Sequence, residues 1–199
     1  MKLLLVRHGQ TIENRERRLQ GHIPGHLSEL GKKQAQLVGE RLKNEEFSVI
    51  YCSDLKRCID TSQPIVQFHP STPFVKDNRL REMSYGIFEG KLLAEADLEA
   101  LDGDLYHRHP DHGESFIQLH ERMSTFHKFL LSQNHSGTVL LVSHGTSLKI
   151  LQGILLGLSL EDTVPRKLGF YNTGVSEFVL ENGVAKAIEL NSISHLRDV

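Results

Sequence analysis

Lys2-Leu3-Leu4-Leu5-Val6-Arg7-His8-Gly9-Gln10-Thr11 is the stretch on which the fold turns. Its first half is a short, continuous apolar run, the pattern of a strand covered on both faces. Its second half switches at once to a guanidinium, an imidazole and a glycine. Ligands of open α/β sheets bind outside the carboxyl ends of the strands, so chemistry is expected directly after such a run. The arrangement recurs. Residues 48–51 read as a strand that leads into Ser53-Asp54-Leu55-Lys56-Arg57, and residues 138–142 as one that leads into Ser143-His144-Gly145-Thr146.

Helical patterns fill the gaps between these strands. Ser28 opens one with Leu30, Leu37, Val38 and Leu42 near a 3.6 period. Asp54 is positioned to cap another that carries Leu55, Cys58, Ile59 and Ile65, and Pro64 is expected to kink or end it. Residues 74–76 read as a short third strand and 92–101 as a helix. Residues 114–133 form an amphipathic helix through Phe116, Leu119, Met123, Phe126 and Leu130, with Ser115 and Gln118 at capping-box spacing. A last helix spans about 146–156 and stops at Gly157. Residues 175–180 and 184–190 flank Asn182-Gly183, a strong hairpin signal. Strands that alternate with helices imply three layers: a mostly parallel central sheet, helices on both faces, and the hairpin as an antiparallel addition.

With 199 residues and no repeat or linker, the chain reads as one domain over 1–199. Lys+Arg 23 against Asp+Glu 25 leaves −2, which gives no footprint for nucleic acid or an anionic membrane. No apolar run approaches the ~18 residues that span a bilayer, and none reads as a signal peptide. Two cysteines, Cys52 and Cys58, make no disulfide framework, so a reducing cytoplasm is the expectation. Twelve histidines against no tryptophan are the unusual feature. Histidine is the residue that titrates near neutrality, attacks phosphorus and binds metals.

If the three strand ends meet, their crevice holds two imidazoles, two guanidiniums and helix N-termini. Guanidiniums grip phosphate oxygens in bidentate fashion and helix N-termini favour anions, so the expected ligand is a phosphate group. Phosphoryl transfer also needs a proton donor for the leaving oxygen. Glu82, in Leu80-Arg81-Glu82-Met83-Ser84-Tyr85, is the candidate; otherwise it is a surface carboxylate paired with Arg79 or Arg81.

Leu5-Val6-Arg7-His8-Gly9-Gln10-Thr11 with Asn14, Leu19-Gln20-Gly21, Leu27-Ser28-Glu29-Leu30-Gly31, Tyr51-Cys52-Ser53-Asp54-Leu55-Lys56-Arg57 with Thr61, Leu80-Arg81-Glu82, Gly113-Glu114-Ser115 and Val142-Ser143-His144-Gly145 follow one another along the whole chain. In this order they resemble the histidine phosphatase superfamily, the phosphoglycerate mutase-like enzymes, and most closely its short broad-specificity phosphatases. The resemblance implies that His8 is the nucleophile and becomes a phosphohistidine. It implies that Arg7, Arg57 and His144 bind the phosphoryl oxygens, and that Glu82 protonates the leaving oxygen and then activates water. Asn14 lines the phosphate pocket in this family. Gln20, Gly21 and Tyr85 align with the substrate wall, and Thr11, Gly145 and Thr146 are weaker pocket candidates. No metal or cofactor is implied, because two guanidiniums and an imidazolium supply the charge that a metal supplies elsewhere. The chain departs from the family at His22-Ile23-Pro24-Gly25-His26 and at His112.

The family includes mutases and phosphatases. The mutases are longer and carry a basic insert that grips a second anion. Here residues 91–112 hold Lys91 and Arg108 against Glu95, Asp97, Glu99, Asp102, Asp104 and Asp111. Such an acidic lid clamps a bisphosphate poorly, which favours a phosphomonoesterase acting on small phosphate esters over a phosphoglycerate mutase. Two further readings are a metal-dependent hydrolase built on His107, His109 and His112, whose spacing is not a strong zinc pattern, and a non-catalytic phosphate-binding protein. His22, His26 and the 107–112 trio are expected to border the substrate entrance. The terminal hairpin offers an edge on which a second copy would form a homodimer.

Overall fold

A computed structural model describes residues 1–166, 168–181 and 183–197. Six strands form one sheet: β1 (Lys2–Arg7), β2 (Phe47–Cys52), β3 (Phe74–Lys76), β4 (Thr138–Ser143), β5 (Val175–Glu181) and β6 (Val184–Ser192). Their order is β3-β2-β4-β1-β5-β6. The first four strands are parallel; β5 pairs antiparallel with β1 and with β6. Side chains alternate across a strand, and both faces of β1 are covered. Leu3 and Leu5 join a cluster with Leu119, Met123, Phe126 and Leu130 of α4 (Phe116–Ser132) and Leu148 and Leu151 of α5 (Gly145–Leu155). On the opposite face Leu4 and Val6 pack with Val38 and Leu42 of α2 (Glu29–Leu42) and Cys58 and Ile65 of α3 (Lys56–Phe68). That double covering is why the strand reads as a run. Two single-turn helices, α1 (Ile12–Arg15) and α6 (Leu160–Thr163), complete the α-helices of the described residues. No helix among the described residues is long and apolar enough to cross a membrane.

The expected capping box of α4 is present, with Ser115 and Gln118 bonded reciprocally. The hairpin forms as well; Gly183 has φ +78°, and Asn182 lies outside the described residues. Other details differ. In α2, Val38 and Leu42 are buried as expected, but Leu30 is exposed and Leu37 only half-buried, and Gly31, Gln34, Ala35 and Gly39 complete the buried face. The glycines allow close approach: a Cβ on Gly31 would strike the carbonyl of Gln10, and one on Gly39 would lie 3.0 Å from Pro64 Cβ. Pro64 does not end α3, which runs on to Phe68. Its ring packs on the flat Gly39, so tertiary contact overrides a local helix breaker. Asp54 does not cap α3. Its carboxylate takes both Nε and Nη2 of Arg81, at 2.7 and 2.6 Å. Residues 92–101 are not a helix; they hold one 3₁₀ turn, Leu93–Glu95. Asp97 accepts from the N–H of Ala100, and beyond it Asp104 accepts from that of Tyr106, local bonds that compete with helix.

Candidate active site

The end of β1, residues 14–21, the start of α3, the loop after β3, the start of α5 and residues 169–170 meet at one cleft of about 330 Å³. Arg7, His8, Asn14, Gln20, Gly21, Arg57, Glu82, Tyr85, Gly145 and Thr146 all line it. A larger groove of about 1200 Å³ runs along α2 and α3, but it holds neither His8, Arg7, Arg57 nor Glu82. The chemistry, not the volume, selects the smaller cleft.

His8 is fixed from several sides. Its N–H donates to the Ser143 carbonyl at 3.0 Å, and its own carbonyl accepts from Asn172 Nδ2 at 3.0 Å. The ring's Nδ1 lies 2.8 Å from the Gly9 carbonyl. A carbonyl can only accept, so Nδ1 carries the proton and the lone pair is on Nε2. Burial, with the charges of Arg57 and Arg7 beside it, pushes the ring's pKa well below the usual 6.5. The imidazole is therefore neutral at pH 7.

Arg7 donates through Nη1 to the Phe170 carbonyl at 2.6 Å, and its Nε is buried with no partner among the described residues. Gly145 faces that nitrogen; a Cβ there would lie 3.4 Å from it. Arg57 is fully buried. It donates from Nε to His144 Nδ1 at 3.1 Å, from Nη1 to the Ile23 carbonyl at 2.6 Å and from Nη2 to the Gly21 carbonyl at 2.7 Å. Much of its fork therefore holds the 20–24 loop. Burial lowers the pKa of both guanidiniums.

His144 stands one layer back. It is completely buried and does not line the cleft. Nδ1 accepts from Arg57, so Nε2–H donates to Ser53 Oγ at 2.8 Å. Its ring centre is 5.2 Å from that of His8. Burial and the charge of Arg57 push its pKa well below 6.5. The structure therefore brings His144 to the cluster but spends both its nitrogens on protein groups. Glu82 is not paired with Arg79 or Arg81, which bind Asp77 and Asp54. Its carboxylate takes the N–H groups of Thr146 and Ser147, both at 3.1 Å, and that of Met83 at 2.9 Å. It thus sits on the N-terminus of α5. Burial, then the nearby Glu82, pushes the Tyr85 hydroxyl up to about 12.

His22, His26, His107, His109 and His112, expected to border the entrance, do not line the cleft itself, although His22 follows Gly21, which does. His22 Nε2 bonds the Glu82 carbonyl, and His26 faces Glu13. Among the described residues no three His, Cys, Asp or Glu side chains are grouped to hold a metal, so the 107–112 trio does not assemble. Thr11 caps the single-turn helix Ile12–Arg15 and bonds Gln20 instead of lining the cleft. The acidic segment 91–112 contributes no residue to the cleft. Conversely, Arg18, Leu19, Lys149, Gly169 and Phe170 line it and were missed. Lys149 was findable, because it lies three and four residues beyond Thr146 and Gly145 on one helix face. Phe170 carries no local signal.

A buried neutral histidine flanked by two guanidiniums at parallel strand ends defines a phosphoryl-handling α/β protein. The chain belongs to the histidine phosphatase superfamily (branch 1), whose profile matches residues 3–193, and it is an enzyme of that superfamily. It is 32% identical to a "probable phosphatase" of Schizosaccharomyces pombe, over 98% of this chain and 95% of that protein. It is 34% identical to a "probable phosphoglycerate mutase GpmB" of Proteus mirabilis, over 100% and 96%. The crystal structure of an α-ribazole phosphatase from Shigella flexneri superposes with TM-score 0.88 at 28% identity, covering 96% of each chain.

Proposed function

We propose that the chain is a metal-independent phosphomonoesterase that hydrolyses small phosphate esters through a phosphohistidine on His8. The observation that carries this is the state of the His8 ring. Nδ1–H is locked on Gly9, the ring is neutral, and Nε2 makes no hydrogen bond among the described residues. The Nε2 lone pair forms the N–P bond as the P–O bond to the alcohol breaks, and the electron pair leaves on that oxygen. Arg7 and Arg57 offset the charge on the phosphoryl oxygens. Glu82 gives the alkoxide a proton. It then takes one from water, whose oxygen bonds phosphorus as the P–N pair returns to Nε2. His144 acts as a positioning residue, because its Nδ1 orients Arg57 Nε. Asn14, Gln20, Gly21, Tyr85, Gly145 and Thr146 form the pocket wall.

The phosphatase names of the Schizosaccharomyces and Shigella proteins, each matched over nearly the whole chain, support hydrolysis. The acidic segment lines none of the cleft, but residues 91–93 bond along residues 17–19, which include cleft-lining Arg18 and Leu19, so it stands beside the wall. A mutase is the second reading, favoured by the Proteus relative. The test is a panel of phosphate esters assayed for released phosphate in EDTA, beside 3-phosphoglycerate with a bisphosphoglycerate primer. Phosphate release in EDTA is expected. Interconversion of phosphoglycerates without release would establish a mutase; a chelator-sensitive activity restored by metal would remove the metal-free scheme. Binding with no reaction in either assay would make it a phosphate-binding protein.

A further inference from the structure

We propose that Lys149 and Arg18 form a second anion site, so that the preferred ester carries a carboxylate or another phosphate on its alcohol part. This rests on the cleft being the phosphoryl site. Four cations line the cleft (Arg7, Arg18, Arg57 and Lys149) against the single carboxylate of Glu82. Arg7 and Arg57 flank His8, which leaves Lys149 and Arg18, the latter also paired with Glu16 at 2.8 Å, as cations beyond what one phosphoryl group requires.

Both are placed for a ligand. Lys149 lies one turn along α5 from Gly145, about 6 Å up the helix axis, on the face that Gly145 and Thr146 turn to the cleft. It is half-buried, and it gives one donor to the Val164 carbonyl. No carboxylate pairs with it among the described residues. An ammonium keeps three donors, so two remain. Burial lowers its pKa, which a bound anion would reverse. Arg18 also lines the cleft, from the loop that follows the single-turn helix Ile12–Arg15, and is exposed. It bonds Glu16 through Nε and the Gly90 carbonyl through Nη1, while Nη2 makes no hydrogen bond among the described residues. The residue before it, Arg17, has φ +57°, a conformation disfavoured for a non-glycine side chain. The chain holds that bend where Arg18 turns into the cleft.

The test measures binding in His8→Ala protein by calorimetry, so that turnover plays no part. Two matched pairs separate the sources of charge: 3-phosphoglycerate against glycerol 3-phosphate for a carboxylate, and fructose 1,6-bisphosphate against fructose 6-phosphate for a phosphate. The doubly anionic member of at least one pair should bind about tenfold more tightly. Adding Lys149→Gln with Arg18→Gln should cut that ratio toward one; Gln keeps an amide donor for Val164, and an unchanged Tm confirms the fold. Equal binding within both pairs, or a preference that survives both substitutions, overturns the subsite. Wild-type protein that hydrolyses none of the four esters would count against the hydrolase reading alone, because the ratio of Kd values is read without chemistry.

Discussion

The strand-end pocket and the 91–112 segment are opposites. The pocket is built where backbone geometry is fixed by the sheet: His8 and His144 follow neighbouring parallel strands, their side chains are buried, and each ring bonds the protein at one nitrogen or both. The segment 91–112 holds one 3₁₀ turn, is mostly exposed, and is ordered by Asp side chains that bond nearby N–H groups and by a few backbone bonds to residues 17–19, 87 and 117. Both are rich in charged and histidine residues. The difference teaches that composition does not mark a site; burial and convergence do.

The largest effect that would sharpen this contrast is at His8. His8→Ala should lower kcat by at least about 10³-fold, as loss of a covalent nucleophile does, and should abolish trapping of an acid-labile phosphoenzyme in rapid-quench experiments. Retention of either at wild-type level would break the assignment. Arg57→Lys keeps a charge but loses the fork that holds Gly21, Ile23 and His144. We expect kcat/KM to fall about 100-fold, with faster amide exchange over 20–24; a change in rate without the exchange would separate the two jobs of this side chain.

Acid should find the pocket before the segment. His8 and His144 stay neutral when folded, yet take up protons near pH 6.5 when unfolded. The unfolded state therefore binds more protons below that pH, and the fold loses stability as pH falls through it. The slope reaches about 1.4 kcal/mol per pH unit for each histidine. Urea unfolding at pH 7.5 and 5.5 measures it, and a flat profile would refute buried neutral rings. Gly31→Ala forces a methyl against the Gln10 carbonyl and should cost about 1–3 kcal/mol in the same assay. At the other extreme, Glu99→Gln with Asp102→Asn should stay within about 0.5 kcal/mol, as exposed substitutions do, and leave kcat/KM within about twofold. A larger change would place the segment in the cleft after all.

The central layer was legible because a strand covered on both faces must be continuously apolar, and Arg7, His8, Arg57 and Glu82 were found because they follow such runs or carry the family's motifs. Local rules failed where a distant residue outweighed them. Pro64 stays inside α3 because Gly39 receives its ring, and Asp54 leaves its helix because Arg81 offers a bidentate partner. Phe170 and Asn172, which hold Arg7 and His8, come from the loop before β5 and share no spacing with either.

By itself, then, the sequence determined the layers of the sheet and the chemistry at its strand ends, since hydrophobic period and short motifs are local properties. Only the tertiary structure decided that His144 stands behind Arg57, that the acidic segment packs beside the cleft wall without lining it, and that Arg18 and Lys149 line it. Where a long side chain points depends on what packs around it, and those neighbours are distant in the chain.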